Sequence, residues 1–259
     1  MSIHPTAIIS PQATIHPSVQ IDPYVIIEGQ VTIDAGCHIE SHAILKGPLT
    51  LGTNNHIHPH AVLGGPPQDL KYQGEETSLH IGNDNIFREF VTVNRGTALG
   101  QSKTSIGHGN LLMAYCHVAH DCVVENHCVL ANGATLAGHI HIADNAIIGG
   151  LSALHQHVRV GRLAMIAGGS MVSQDIPPFM LAQGDRAIIR GLNRIGLRRY
   201  GFNKEQIKTL QEAYKHFAQQ SSRQSRLEYL HKQPPSPLLQ ELISCLEEST
   251  RGICKYKEV

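Results

Sequence analysis

Divided into sixes, residues Ile106 to Ser173 read IGHGNL LMAYCH VAHDCV VENHCV LANGAT LAGHIH IADNAI IGGLSA LHQHVR VGRLAM IAGGSM VS. An aliphatic residue opens every unit, from Ile106, Leu112 and Val118 through Leu136 and Leu154 to Val172. The fifth place is mostly small: Asn110, Cys116, Cys122, Cys128, Ala134, Ala146, Ser152, Ala164 and Ser170. Neither the 3.6-residue helical period nor plain strand alternation produces this spacing. A six-residue unit with one large and one small inward position predicts a parallel β-helix, in which short strands meet at polar corners around stacked aliphatic side chains.

The same phase runs back almost to the start, through Ile3, Ile9, Ile15, Ile21, Ile27, Ile33, Ile39, Leu45, Leu51, Ile57 and Leu63. Pro5, Pro11, Pro17, Pro23 and Pro59 fall two places after an aliphatic residue, at corners that need no ladder donor. The phase fails twice, across residues 64–80 and 94–105, and both stretches read as Gly-, Pro- and polar-rich loops extruded from a corner. Stiff scaffolds carry binding groups on such loops, so Gln68, Asp69 and Lys71 in the first and Arg95 and Lys103 in the second are candidates. After Val172 come Pro177 and Pro178 and a basic connector. Asn203 then offers an N-cap with Gln206 three residues on, followed by an apolar face of Ile207, Leu210, Tyr214 and Phe217. Further helices are expected over Arg223–Lys232 and Pro237–Glu248. The predicted organisation is an all-β parallel solenoid over residues 1–185 and a smaller α-helical domain over 186–259 that covers its open end.

Composition agrees with an aliphatic solenoid: of 259 residues 16% are charged and 5% aromatic, and Trp is absent. The net charge of zero is unevenly placed, with fourteen Lys/Arg against seven Asp/Glu from Arg186 onward and the reverse before it. A basic tail on an acidic body points to an anionic partner. Four of six cysteines (Cys37, Cys116, Cys122, Cys128) occupy the small inward position, where a thiol packs as a small hydrophobe. No CxxC, no signal peptide and no membrane-length apolar run occurs, so a reduced, cytoplasmic protein without membrane insertion is expected.

The densest chemical signal is HVAHDC, His117 to Cys122. Its His-x-x-His spacing suits either zinc or a general base of near-neutral pKa that Asp121 could orient.

That segment and its surroundings, NLLMAYCHVAHDCVVENHCVLANGATLAGHIHI, together with QDLKYQGE, LHQH, QDIPPFMLAQGD, the RGLN-to-RRYGF connector and STRGI, resemble the UDP-N-acetylglucosamine acyltransferase family of hexapeptide-repeat enzymes. The resemblance runs from about Ile3 to Ile253. It implies a left-handed coil of three hexads, although parallel crossovers in general prefer the right hand. Residues 18 apart then stack at the inter-strand spacing of ~4.8 Å, which puts His120, Gly138 and Gln156 in one column and Asp121, His139 and His157 in the next.

The family implies transfer of an (R)-3-hydroxyacyl group from acyl carrier protein to UDP-N-acetylglucosamine, the first step of lipid A biosynthesis. The resemblance further implies a homotrimer that uses no cofactor, metal or nucleic acid. By resemblance His120 is the general base, Asp121 holds it, and the Gly138 N–H meets the oxyanion. Gln68, Asp69, Lys71, His117 and His139 match sugar- or phosphate-contacting positions; His155, Gln156, Asn193 and Arg199 match positions toward the nucleotide or carrier. Met165, Gly168 and Arg186 fall along the acyl-chain groove. The chain departs from the family pattern at Asn94, Ile195, Tyr200 and Arg186, which leaves acyl length and acceptor open. The competing expectations are N-acylation of the 3-amino analogue of the sugar nucleotide, a zinc-dependent carbonic anhydrase-like protein, a coenzyme A-dependent acetyltransferase, and a purely structural solenoid.

Overall fold

A strand of two or three residues is too short to hold itself, and here each is held by the strands one coil above and below. The computed structural model describes residues 2–220 and 222–257; Met1, Glu258 and Val259, at the outer edges of the two expected domains, lie outside the described residues, as does Ser221. Successive strands go to three different sheets in turn. The first sheet starts at Ser2–Ile3 and has eleven strands, the second starts at Ile8–Ile9 and has nine, and the third starts at Thr14–Ile15 and has eight. Pairing is parallel with an eighteen-residue step: Leu45 lies beside Leu63, Val118 beside Leu136 and Leu136 beside Leu154.

The hexad positions do what their sizes demand. The aliphatic openers Ile57, Leu63, Leu112, Val118, Leu130, Leu136, Ile148 and Ile166 are completely buried, and so are Cys122, Cys128, Ala134, Ala146 and Ser170 at the small position. The inward thiols donate to carbonyls of the next coil, Cys122 Sγ to Ala137 O at 3.1 Å and Cys128 Sγ to Ala143 O at 3.2 Å. Burial pushes both up to about 12, so neither is a nucleophile at neutral pH.

The two breaks in phase are loops. Leu51 pairs with Ile81, thirty residues on, so the first adds twelve residues to a coil; Ile81 pairs with Ile106, twenty-five on, so the second adds seven. They are shorter than residues 64–80 and 94–105, because Gly65 pairs with Asn94 and the strand Ser78–Ile81 pairs with Lys103–Ile106. Both leave the corner between the second and third sheets.

The repeat also outlasts Val172. Met180–Gln183 rejoins the first sheet beside Met165–Ile166, and Ile188–Leu192 folds back antiparallel to it. Pro177 and Pro178 sit in the link, where no ladder hydrogen bond is needed, and the ladder resumes behind them. Residue 185 therefore falls inside a β-hairpin, and the basic connector contributes a strand and the short helix α1, Arg194–Arg199. Helices α2 (Lys204–Gln219), α3 (Arg223–His231) and α4 (Pro237–Glu248) follow. Asn203 and Gln206 form the reciprocal capping box, and Leu210, Ala213 and Phe217 are buried. Arg162 ties this unit to the coils through two bonds to Glu241, at 2.9 and 2.7 Å, with its guanidinium 5.1 Å from the Phe179 ring centre. The chain end returns to the solenoid, Ile253 bridging to Asp175 and Tyr256 to Ile189.

Candidate active site

At the corner between the second and third sheets the backbone must turn through a left-handed residue, and Asp121 occupies it with φ 59°. Asx side chains tolerate that region better than most. Asp121 donates its N–H to Thr104 Oγ1 at 2.8 Å, which fixes the turn. Its side chain is then buried, at 1% exposure, beside His120 at 6%.

The second loop closes over the carboxylate. Thr97 donates its hydroxyl at 2.6 Å and its N–H at 3.1 Å to Oδ2, and the Gln101 N–H reaches Oδ1 at 2.8 Å. A side chain at Gly100 would enter the carboxylate itself. Burial alone would raise the Asp121 pKa, but the hydrogen bonds from Thr97, His120 and Gln101 outweigh it and hold the carboxyl below its usual range. An ionised Asp121 accepts only, and its Oδ2 lies 2.9 Å from His120 Nδ1. Hydrogen-bond logic therefore assigns the proton to Nδ1 and leaves Nε2 as a free base.

That Nε2 lies against Gly138, one coil on. A Cβ there would stand 2.5 Å from His120 Cε1 and 2.7 Å from Nε2, so only glycine admits the ring. The Gly138 N–H donates to no group among the described residues, while its neighbour His139 donates to His120 O at 3.0 Å. A base and an unused donor therefore share one small wall.

Other imidazoles surround it. The His139 ring meets His120 edge-on at 5.0 Å and stacks on His157 at 4.5 Å. Burial holds His139 below the ordinary imidazole range, partly countered by Asp121; Asp69 from the first loop acts in the same direction as Asp121. His117 points its Nδ1 at Thr92 Oγ1, 2.7 Å away, and is held low by burial and by His120. His155 and Gln156 are exposed at the same corner one coil further on. In the first loop Gln68 and Lys71 are exposed, and Asp69 Oδ1 accepts the Lys71 N–H at 2.9 Å. Arg95 is a strut: it donates to Gly47 O at 2.5 Å, Gly64 O at 3.1 Å and Tyr72 Oη at 3.2 Å. Asn94 is buried at the root of the second loop.

The remaining candidates lie elsewhere. Met165, Asn193 and Arg199 line a cleft of about 800 Å³ on the outer face of the first sheet, with Leu163, Leu181, Ile195 and Tyr200. Gly168 and Arg186 are exposed outside its lining. One chain thus separates the predicted residues into a His120 corner and a cleft on another face. The sequence reading missed Thr92, Thr97, Gln101 and Thr104, which sit in or beside the irregular loop and carry no spacing signal.

A ligand atom from each of His120, Asp121 and His139 lies within 4.8 Å of the others. Asp121 is, however, already occupied by two backbone N–H groups and a hydroxyl, and His117, the other member of the His-x-x-His pair, turns to Thr92. The arrangement suits proton transfer better than metal coordination.

A parallel β-helix with an oriented imidazole beside a free backbone donor defines a hexapeptide-repeat transferase. Residues 12–47 and 103–138 match the bacterial transferase hexapeptide model, and residues 175–254 match the second domain of UDP-N-acetylglucosamine O-acyltransferases. The acyl-[acyl-carrier-protein]–UDP-N-acetylglucosamine O-acyltransferase of Myxococcus xanthus is 54% identical over 213 residues, 82% of this chain and 83% of that one. The enzyme of the same name from a Janthinobacterium species is 43% identical over 259 residues, 98% and 99% of the two chains. The crystal structure of the UDP-N-acetylglucosamine acyltransferase of Bacteroides fragilis, 40% identical, superposes with a TM-score of 0.95 over 98% of this chain and 100% of that one. The chain belongs to the UDP-N-acetylglucosamine O-acyltransferase family, with the left-handed β-helix that the family carries.

Proposed function

We propose that this chain transfers an (R)-3-hydroxyacyl group from acyl carrier protein to the 3-hydroxyl of UDP-N-acetylglucosamine, the first step of lipid A biosynthesis. The observation that carries this reading is the oriented His120–Asp121 pair packed against Gly138, whose N–H is unused. His120 Nε2 takes the hydroxyl proton as the sugar oxygen attacks the thioester carbonyl. The Gly138 N–H donates to the oxyanion of the tetrahedral intermediate, and Asp121 stabilises the imidazolium. Collapse expels the carrier thiolate, which recovers the proton from His120. A positioned base contributes typically ~10²–10⁴-fold and one oxyanion donor about 10²–10³-fold. His120→Ala should lower kcat by about 10²-fold or more with its circular dichroism unchanged; retention of more than about a tenth of the rate would remove His120 from the role.

In this reading Gln68, Asp69, Lys71, His117 and His139 hold the sugar and phosphates. His155, Gln156, Asn193 and Arg199 face the nucleotide or carrier, and Met165, Gly168 and Arg186 border the acyl chain. The relatives' names specify O-acylation, and Asn94, the sequence's only hint of an amine acceptor, is buried at its loop root. Assay of both sugar nucleotides with one donor tests the choice; a tenfold preference for the 3-amino sugar, ~1.4 kcal/mol, would overturn it.

A homotrimer would bring one subunit's cleft to its neighbour's His120. Outward positions support it. On the third sheet they are polar at Thr14, Thr32, Thr50, His80, Ser105, His141 and Arg159 and apolar at Val123, whereas the later coils of the first carry Ile86, Leu111, Val129, Ile147 and Met165 and the early coils of the second Ile8, Ile26, Ile44 and Val62. Two unlike apolar faces per subunit suit a closed ring. Leu70 and Leu99, exposed at the two loop tips, add to this surface. A fully active monomer at micromolar concentration would exclude the ring. Arg194, Arg198, Lys204, Lys208 and Lys215 line one groove of the helical unit, which would receive the acidic carrier. No helix among the described residues is long and apolar enough to cross a membrane. The cysteines are free, and a reducing cytoplasmic setting fits them.

A further inference from the structure

A second histidine cluster lies on the third and fourth strands of the first sheet, and the chemistry proposed above does not use it. His38 and His56 are ladder partners on adjacent strands, so both imidazoles leave the same face one strand spacing apart. Their rings stack at 5.1 Å, and His58 stacks on His56 at 4.1 Å. Glu40 reaches into the group: its Oε1 bonds His56 Nε2 and lies 3.3 Å from His58 Nδ1. Asp22 holds His38 Nε2 at 3.1 Å. One ligand atom from each of His38, Glu40 and His56 lies within 4.8 Å of the other two.

This cluster differs from His120–Asp121–His139 in what occupies its carboxylate. Asp121 is bound by backbone N–H groups that stay in place. The groups at Glu40 Oε1 are imidazole nitrogens, whose protons a metal ion displaces on binding. All four side chains are partly open, at 35% for His38, 37% for His56, 22% for Glu40 and 18% for His58, so an ion can reach them and still be largely enclosed. Two or three imidazoles and one carboxylate make a borderline N/O donor set, which selects zinc or its neighbours over magnesium or calcium.

We propose that His38, Glu40 and His56, with His58 beside them, form a binding site for a divalent transition-metal ion of the zinc class, separate from the catalytic corner. The ion would staple two adjacent coils just before the first extruded loop.

Cobalt(II) reports the site without reference to activity, because its visible d–d absorption is intense only in tetrahedral or similar geometry. Titration of the full-length protein in its native assembly should develop that absorption to about one equivalent per chain, and zinc should bleach it. His56→Ala and His38→Gln should each weaken binding at least about tenfold. Zinc should raise the thermal midpoint of the parent protein and leave that of His56→Ala unmoved. Should His56→Ala misfold, Glu40→Gln, which keeps shape and hydrogen bonding, takes its place. Absence of the absorption, its persistence in the His38→Gln/His56→Ala pair, or its loss in His139→Ala instead would each overturn the assignment.

Discussion

A methyl group added at Gly138 would stand 2.5 Å from His120 Cε1, closer than any real contact, so the imidazole would have to leave its bond to Asp121. Gly138→Ala should cost about as much as loss of an oxyanion donor, ~10²–10³-fold in kcat, and a normal rate would show that the ring tolerates displacement. Thr97 acts one atom further out, as a positioning residue. Its hydroxyl, 2.6 Å from Asp121 Oδ2, helps keep the carboxylate ionised. Thr97→Val removes the donor and leaves the bulk. A lost hydrogen bond to a charged group is worth ~1.5–3 kcal/mol, so kcat should fall roughly tenfold or more with KM little changed. The acid limb of the pH–rate profile should move upward, and Thr97→Ser should restore both. An unchanged profile in Thr97→Val would mean that the loop's backbone donors suffice.

At the scale of elements, the solenoid carries His120, Asp121 and Gly138 on adjacent coils, and its insertions position and surround them. The second loop cages Asp121, while Arg95 at its root ties the first loop down through Tyr72. Arg95→Ala should therefore loosen residues 66–77 and misplace Asp69 and Lys71, the proposed sugar-binding groups. KM for the nucleotide sugar should rise several-fold with a smaller change in kcat, and amide exchange should accelerate in that loop. If exchange there stays slow, the loop is held by its own turns. The helical unit answers a different need, since α4 and the returning chain end cover the last coils through Glu241 and Tyr256. Arg162→Ala leaves Glu241 without its two-pronged partner and uncovers Phe179, and it should lower the unfolding midpoint.

For the molecule as a whole, the half-buried imidazoles bear on the acid limit. Burial holds His58, His117 and His139 below the ordinary range, whereas in the unfolded chain they titrate near ~6.5. The unfolded state then takes up protons first. Stability is complete above about pH 6.5 and declines as the pH falls toward the folded-state values. Asp121, held low by its donors, contributes stability above about pH 3.9 that is lost below it, in the same direction. Urea midpoints at about pH 7.5 and about pH 5.5 should differ, the acid one being lower; an unchanged midpoint would mean that those rings take up protons equally in the folded and unfolded states. Charge asymmetry makes a second whole-molecule prediction. Affinity for acyl carrier protein should weaken with salt more than affinity for a pantetheine thioester, since exposed pairs are screened over ~8 Å. Equal salt dependence would assign the basic groove to the fold.

The six-residue period was legible because it is local: each hexad states its own inward pair, and the same pattern recurs from Ile3 to Val172. Given the three-hexad coil that the family resemblance implies, the columns of His120 and Gly138 and of Asp121 and His139 follow from the eighteen-residue step, and the capping box at Asn203 declares its helix within four residues. The hairpin beyond Pro178 was hidden, because Ile188–Leu192 pairs with a strand whose register no repeat announces. Thr97 and Arg95 were hidden for the same reason. Their partners Asp121 and Tyr72 lie more than twenty residues away across irregular loops, where spacing carries no information and only the folded path brings donor to acceptor. Tertiary structure likewise put Met165, Asn193 and Arg199 on a face apart from His120, since a position on a strand declares inward or outward, and closure of the triangular coil decides which neighbours share a wall.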